Sequence, residues 1–129
     1  WNTKGRRTVY CALDPSTAIL EVAVHKGFLT LDTMPHVLTP FRIRDAADVV
    51  VVEPRSVPNP NWLSPGSPSA GQQAFGAALL AATPFAVIPS AVSSNSWNLL
   101  FDAPSAAGRY DLVSQDRFAL DTRLHPPAV

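Results

Sequence analysis

The sequence predicts a mixed α+β fold, small β-sheets with flanking helices, on three observations. A β-branched run is followed at once by a sharply punctuated helix. A second apolar helix lies past the middle of the chain. The other apolar segments are short, rich in β-branched and aromatic residues, and separated by turn-forming residues. With 129 residues, 47% of them hydrophobic and 16% charged, the chain is globular and can bury a core. It has no internal repeat and no linker, so residues 1–129 are expected to form one domain.

Taken in order, Thr8–Ala12 reads as a strand from its β-branched and aromatic content. Asp14-Pro15 supplies an N-cap with proline at the first helical position, and Gly27 after Lys26 supplies a stop, which sets a helix at Pro15–Lys26. Within it Glu21 is the one charged side chain in an apolar run, with Ala18-Ile19-Leu20 before it and Val22-Ala23-Val24 after it. So apolar a helix is expected to be largely buried. A carboxylate there is costly to desolvate unless it is paired or hydrogen-bonded. Thr17, Glu21 and His25 fall at i, i+4 and i+8 and share one face, either a narrow solvent stripe or part of a site.

Residues 37–44 read as a strand interrupted or edged by Pro40. Residues 49–52 are a continuous valine run, the composition of a buried strand. Residues 54–68 hold Pro54, Pro58, Pro60, Pro65 and Pro68 around Trp62 and read as a structured surface loop. Ser67-Pro68 can start the second helix, which runs to about Ala82 and is apolar at Ala74, Phe75, Ala78, Leu79 and Leu80. Residues 85–92, carrying Pro89-Ser90, then Trp97–Asp102 and residues 111–120 complete the set of short β segments. Asp111, Asp116 and Asp121 recur every five residues, a spacing that suits edges and turns.

Ten basic and ten acidic residues leave no net charge, which removes the usual electrostatic argument for direct contact with nucleic acid or a membrane surface. Among the basic residues Arg outnumbers Lys eight to two, which suits fixed recognition of phosphates or carboxylates and equally a compositional bias of the source genome. No apolar stretch approaches the roughly 18–20 residues of a membrane span, and no signal peptide is visible. Cys11 is alone, so no intrachain disulfide forms, and the residue is expected to be a buried, inert thiol in a reducing compartment. His25, His36 and His125 have no metal-ligand spacing with one another or with Cys11. No P-loop, dinucleotide-fingerprint glycines or nucleophile elbow occurs. The chain opens at Trp1 and its only methionine is Met34, so Trp1 is expected not to be the translated start.

Several stretches carry more together than any alone. Trp1-Asn2-Thr3-Lys4-Gly5 leads into Val9-Tyr10-Cys11-Ala12 and then Ala18-Ile19-Leu20-Glu21-Val22-Ala23-Val24-His25. Val87-Ile88-Pro89-Ser90-Ala91-Val92 follows much later, then Asn98-Leu99-Leu100, and Asp121-Thr122-Arg123-Leu124 stands near the end. In this order they resemble the RES-domain family, the toxins of bacterial Xre–RES toxin–antitoxin pairs, over nearly the whole chain. The family pattern is an Arg just before Trp-Asn, then Gly, a Tyr-bearing strand, an A-x-x-E-x-x-x-H helix, a Pro-Ser strand and an N-x-L-x-N-P segment. Of the Arg, Glu and Ser that name the family, Glu21 matches the Glu and Ser90 the Ser. The place of the Arg is immediately before Trp1, outside this sequence; Arg6 and Arg7 follow the Trp-Asn motif and do not occupy it. The chain also departs from the pattern at Asp102-Ala103, where Asn-Pro is expected, and at Leu80, where an aromatic is common.

The resemblance implies an ADP-ribosyltransferase-like fold and chemistry on NAD⁺ as substrate, with no prosthetic group. Cleaving the nicotinamide–ribose bond passes through an oxocarbenium-like state, which a carboxylate such as Glu21 would stabilise while it holds the ribose hydroxyls. The implied catalytic set is Glu21, Tyr10 and Ser90, with Tyr10 stacking on nicotinamide or ribose and Ser90 orienting the ribose or the nucleophile. The implied NAD⁺-binding set is Trp1, Asn2, Gly5 and Asn98, and the upstream Arg would hold the pyrophosphate. On residue type alone Tyr10 also suits a core aromatic, Ser90 a turn residue and Asn98 a backbone-bonding amide, and His25 is expected to be packed and hydrogen-bonded. The leading expectation is a cytoplasmic toxin that depletes NAD⁺ by hydrolysis or phosphorolysis. ADP-ribosyl transfer to a host protein and a non-catalytic antitoxin-binding module are the alternatives. The implied partner is an Xre-type antitoxin that itself binds DNA and blocks the pocket, in an assembly that is either a homodimer or a hetero-oligomer with that antitoxin.

Overall fold

The computed structural model describes residues 1–63 and 68–124. Pro65, the Ser67 start expected for the second helix, and His125 lie outside the described residues. The chain runs β1 (Thr8–Ala12), α1 (Pro15–Lys26), α2 (Phe28–Thr33), β2 (His36–Leu38), β3 (Phe41–Ile43), β4 (Val49–Val51), α3 (Ala70–Ala82), β5 (Phe85–Pro89), β6 (Trp97–Asp102), α4 (Ala103–Ala106), β7 (Tyr110–Leu112) and β8 (Asp116–Phe118). Short 3₁₀ turns stand at Ala46–Asp48, Pro54–Ser56 and Thr122–Leu124. The fold is mixed α+β, as the residue patterns predict.

The central sheet has the order β1-β6-β5-β4. β1 and β5 both run antiparallel to β6, and β4 runs parallel to β5. Strand alternation divides the core between the two faces of β5 and β6. Phe85, Val87, Leu99 and Phe101 point to one face with Ala106, where Phe41 packs edge-on against Phe101 and Tyr110 edge-on against Phe85. Ile88 and Leu100 point to the other, against Leu80, Val52 and Val57, with Trp1, Trp62 and Phe75 at the margin. A third cluster, Ala23, Leu31 and Leu120 with Ile19, Val22 and Phe118, ties α1 and α2 to β8.

Several expectations need correction. Residues 37–44 form two strands, because Pro40 has no N–H to give a ladder, and residues 111–120 likewise divide; β2 pairs with β8 and β3 with β7. The valine run 49–52 is not a buried strand. β4 is the sheet edge, Val50 and Val51 are 43% and 58% exposed, and only Val52 turns into the core. The strand from Phe85 ends at Pro89, four-residue pairing with β6 stopping at Pro89↔Trp97. The second helix begins at Ala70, capped by the Ser69 side chain on the Gln72 N–H at 3.1 Å, with Pro68 outside it. α2 has no counterpart in the sequence reading.

α1 keeps its predicted ends. The Asp14 carboxylate accepts from the Thr17 N–H at 2.8 Å and from the Thr17 hydroxyl at 2.7 Å. At the other end Gly27 takes φ 85°, a backbone state that favours glycine, while its N–H bonds to the Ala23 carbonyl at 2.8 Å. The helix is not largely buried, however: only Thr17 and Ala23 are, while Leu20 and Val24 face solvent. One side packs on α2 and β8, and nothing among the described residues covers the opposite apolar side.

Candidate active site

The row Thr17, Glu21, His25 passes from core to solvent along α1. Thr17 is buried, the Glu21 side chain is 21% exposed and the His25 side chain 71%. Glu21 therefore stands at the boundary, where a carboxylate can be partly desolvated and still reached from outside. α1 leans on β1 and β6, and two polar side chains from the central sheet meet the carboxylate there. The Ser90 hydroxyl donates to Oε1 at 2.9 Å and the Asn98 amide donates to the same oxygen at 2.7 Å. Oε2 has His25 Nε2 at 3.5 Å, a charge pair only when the imidazole is protonated.

Ser90, immediately after β5, is 1% exposed. Its one proton goes to Glu21, and its oxygen accepts from the Val92 and Ser93 N–H groups at 3.2 and 3.1 Å. A hydroxyl offers one donor and two acceptor sites, so Ser90 is fully engaged in fixing Glu21. Asn98, the second residue of β6, bonds the carboxylate, not backbone, correcting what its residue type suggests. Its Oδ1 is buried without a hydrogen-bond partner among the described residues.

Tyr10 lies two residues before Ala12, the β1 residue that faces Asn98 across the ladder. It is 51% exposed and not a core aromatic; its hydroxyl donates to Asn2 Oδ1. Burial of part of the ring raises the hydroxyl above its ordinary value, opposed by the hydrogen bonding to Asn2, so it is a neutral donor near pH 7. Asn2 also bonds the Thr3 carbonyl at 3.0 Å, and Gly5 takes φ 91° in the turn that follows. Trp1 lies further off, packed on α3 with its ring centroid 6.5 Å from that of Phe75. Thus Glu21, Ser90 and Asn98 form one hydrogen-bonded group, Tyr10 and Asn2 a second beside it, and Trp1 and Gly5 belong to the arm that leads into β1.

His25 is exposed and not packed, which corrects the expectation for it. Cys11 is half-buried against the aromatic cluster, and burial pushes its thiol up to about 11, an inert group. Among the described residues no group of three or more His, Cys, Asp or Glu stands where it could hold a metal ion. The direct Asn98–Glu21 bond was missed by sequence reasoning, in which the apolar setting of Glu21 left a solvent-facing stripe and a hydrogen-bonded site equally open.

Comparison with known families decides which lineage this arrangement belongs to: the sequence model of the RES domain matches residues 1–121. The chain belongs to the RES-domain family. A search of curated proteins gave no match. RES domains are a toxin-associated family linked to NAD⁺-related catalysis. The match takes in every residue of the Glu21 group, so the hydrogen-bonded carboxylate is a feature of this RES domain itself. No helix among the described residues is long and apolar enough to cross a membrane.

Proposed function

We propose that this RES-domain protein is a toxin that consumes NAD⁺ by cleaving the nicotinamide–ribose bond, with water or phosphate as acceptor, and so depletes the cell's NAD⁺. The observation that carries this reading is the Glu21 carboxylate, held on one oxygen by Ser90 and Asn98 at 2.9 and 2.7 Å. With Oε1 saturated, Oε2 is the oxygen left to accept a ribose hydroxyl. Its negative charge then lies beside the carbon on which positive charge develops as nicotinamide departs. A carboxylate fixed before substrate arrives needs no reorganisation at the moment of bond breaking, which is where such electrostatic stabilisation gains most.

Ser90 is a positioning residue in this scheme, since its hydroxyl is spent on Glu21. Asn98 likewise acts through the amide it gives to Glu21, since its Oδ1 is buried and closed to a bound substrate. Tyr10 offers a half-exposed ring face to the nicotinamide end, and Asn2 holds its hydroxyl. Trp1 and Gly5 fix the arm that closes over this side of the sheet. We read the fold as ADP-ribosyltransferase-like and the protein as a cytoplasmic one, with no prosthetic group. A cognate Xre-type antitoxin covers the pocket and itself makes the DNA contact, and this chain assembles as a homodimer or as a hetero-oligomer with that antitoxin.

The test is nicotinamide release from NAD⁺ by the antitoxin-free protein, with and without phosphate. ADP-ribose as co-product marks hydrolysis, a phosphorylated ADP-ribose marks phosphorolysis, and label on a protein marks transfer. Glu21→Gln is expected to lower kcat by about 10²–10³, the usual cost of removing one preorganised electrostatic group. On expression in cells, Glu21→Ala is expected to be harmless. No nicotinamide release by folded protein, together with undiminished toxicity of Glu21→Ala, would overturn the reading.

A further inference from the structure

We infer that the protein selects the 2′-phosphorylated dinucleotide, NADP⁺, over NAD⁺, through a cationic cavity at the far end of the strand pair that carries the Glu21 site. The inference rests on the reading of Glu21 as the ribose carboxylate. The cavity measures about 500 Å³ and is lined by Lys4, Gly5, Arg6 and Arg7 from the N-terminal arm, with Asp102 and Pro104 opposite. In a chain with no net charge this is a concentration of three cations against one carboxylate. Arg44, Arg55, Arg109 and Arg123 each hold an acidic partner. Among the described residues Lys4, Arg6 and Arg7 hold none, and Asp102 accepts only from the Ser105 hydroxyl at 3.3 Å.

The position of the cavity identifies its ligand. Asn98, Leu100 and Asp102 alternate along β6 and so share one face of the sheet, as do their partners Ala12, Tyr10 and Thr8 on β1; Leu100 is buried in the core beside Trp1, so the open side of this row is that of β1, at half-exposed Tyr10. Asn98 bonds Glu21 at one end of this row, Tyr10 and Asn2 meet in the middle, and Asp102 lines the cavity at the other. Four residues of strand separate the ends, about 13 Å. That is the reach of a pyrophosphate with a ribose on either side. With the nicotinamide ribose on Glu21, the pyrophosphate passes the Tyr10–Asn2 pair and the adenosine ribose arrives at the cationic cavity. The group on that ribose that calls for guanidinium and ammonium donors is a 2′-phosphate; an unmodified 2′-hydroxyl calls for a carboxylate alone. Two net positive charges match a phosphate monoester carrying about −1.5 to −2.

The test compares kcat/KM for NADP⁺ and NAD⁺, and in parallel the binding of adenosine 2′,5′-bisphosphate and 5′-AMP by calorimetry. NADP⁺ is expected to be favoured about tenfold or more, as charge-assisted hydrogen bonds to a phosphate warrant. The double variant Arg6→Gln, Arg7→Gln brings the ratio to about one. Asp102→Asn, which removes the one opposing charge, raises it. Cleavage of NAD⁺ with no preference for NADP⁺ overturns this inference and leaves the NAD⁺ reading standing. Cleavage of neither dinucleotide overturns that reading. In that case the bisphosphate must still bind more tightly than 5′-AMP, with the difference lost in the double variant, or the cavity assignment falls too.

Discussion

Glu21 turns an expensive placement into a fixed one by means of two neutral donors. The network makes Ser90 the most exposed to test. Ser90→Ala removes a bond to Glu21 and leaves the Val92 and Ser93 N–H groups without their acceptor. Its expected cost is about 1–3 kcal/mol of stability, the price of stranding buried donors. The catalytic loss is expected in kcat, about 10–100-fold, with KM nearly unchanged, because the hydroxyl orients the carboxylate and touches no substrate. A rise in KM with kcat intact would place Ser90 on the substrate instead. Cys11 gives a second check. With its thiol pushed up to about 11, about one molecule in a thousand is thiolate at pH 8, so alkylation of the folded protein is expected to be far slower than that of the urea-unfolded chain. Glu21 stood out by its apolar run, and Ser90 only through the resemblance to the RES family, since Pro89-Ser90 by itself suits a turn equally well. The Asn98 contact was not legible, since it joins residues 77 apart in sequence and no local pattern records such a pairing.

Among the elements, α3 depends on one small residue. A Cβ built on Gly76 would collide with the carbonyl oxygen of Trp1 and lie 2.8 Å from its carbonyl carbon, so helix and N-terminal arm touch backbone to backbone there. Gly76→Ala favours the helix intrinsically by about 1 kcal/mol, yet overpacking against a backbone costs about 1–3 kcal/mol and displaces Trp1 from the Val52, Leu80 and Leu100 cluster. The net expectation is a lower urea midpoint and an increase in Trp1 exposure read by fluorescence quenching. A stabilised Gly76→Ala protein would show that the arm does not rest on this helix. Such a contact is invisible to propensity, which counts Gly76 only as a weak helix former. The ends of α1 were legible because Asp14-Pro15 and Gly27 act locally. The edge position of β4 was not, because three valines read alike in a central and an edge strand, and only the pairing with β5 alone exposes Val50 and Val51.

For the molecule as a whole, carboxylates set the response to acid. Asp14 is held below the usual carboxylate range by its hydrogen bonds from Thr17, Asp111 by those from Arg44, and Asp121 by those from Arg123. In the unfolded chain all three titrate near the ordinary value of about 3.9. The unfolded state therefore takes up protons first as the pH falls, and folding stability falls with it. The contribution is fully present above the ordinary value and is lost as the pH passes down through the depressed folded values. All three groups are exposed, so the effect is modest and, for the two Arg pairs, screened by salt. The Arg44–Asp111 pair matters most for shape. Its two bonds, 2.9 and 2.5 Å, with a third from Arg44 to the Gly108 carbonyl at 2.8 Å, clamp β3 to β7 beside the aromatic cluster. Tm is expected to be level from pH 7 to about 5 and to decline below about 4. Asp111→Asn is expected to lower Tm at pH 7 and to flatten part of the acid decline, and high salt to do the same to the wild type. Asp14→Asn keeps an N-capping side chain, so its effect is expected to be smaller and indifferent to salt. An Asp111→Asn protein with the wild-type Tm at every pH would show that the clamp contributes nothing and that the β3–β7 pair is held by its backbone ladder and the packing of Phe41 and Tyr110.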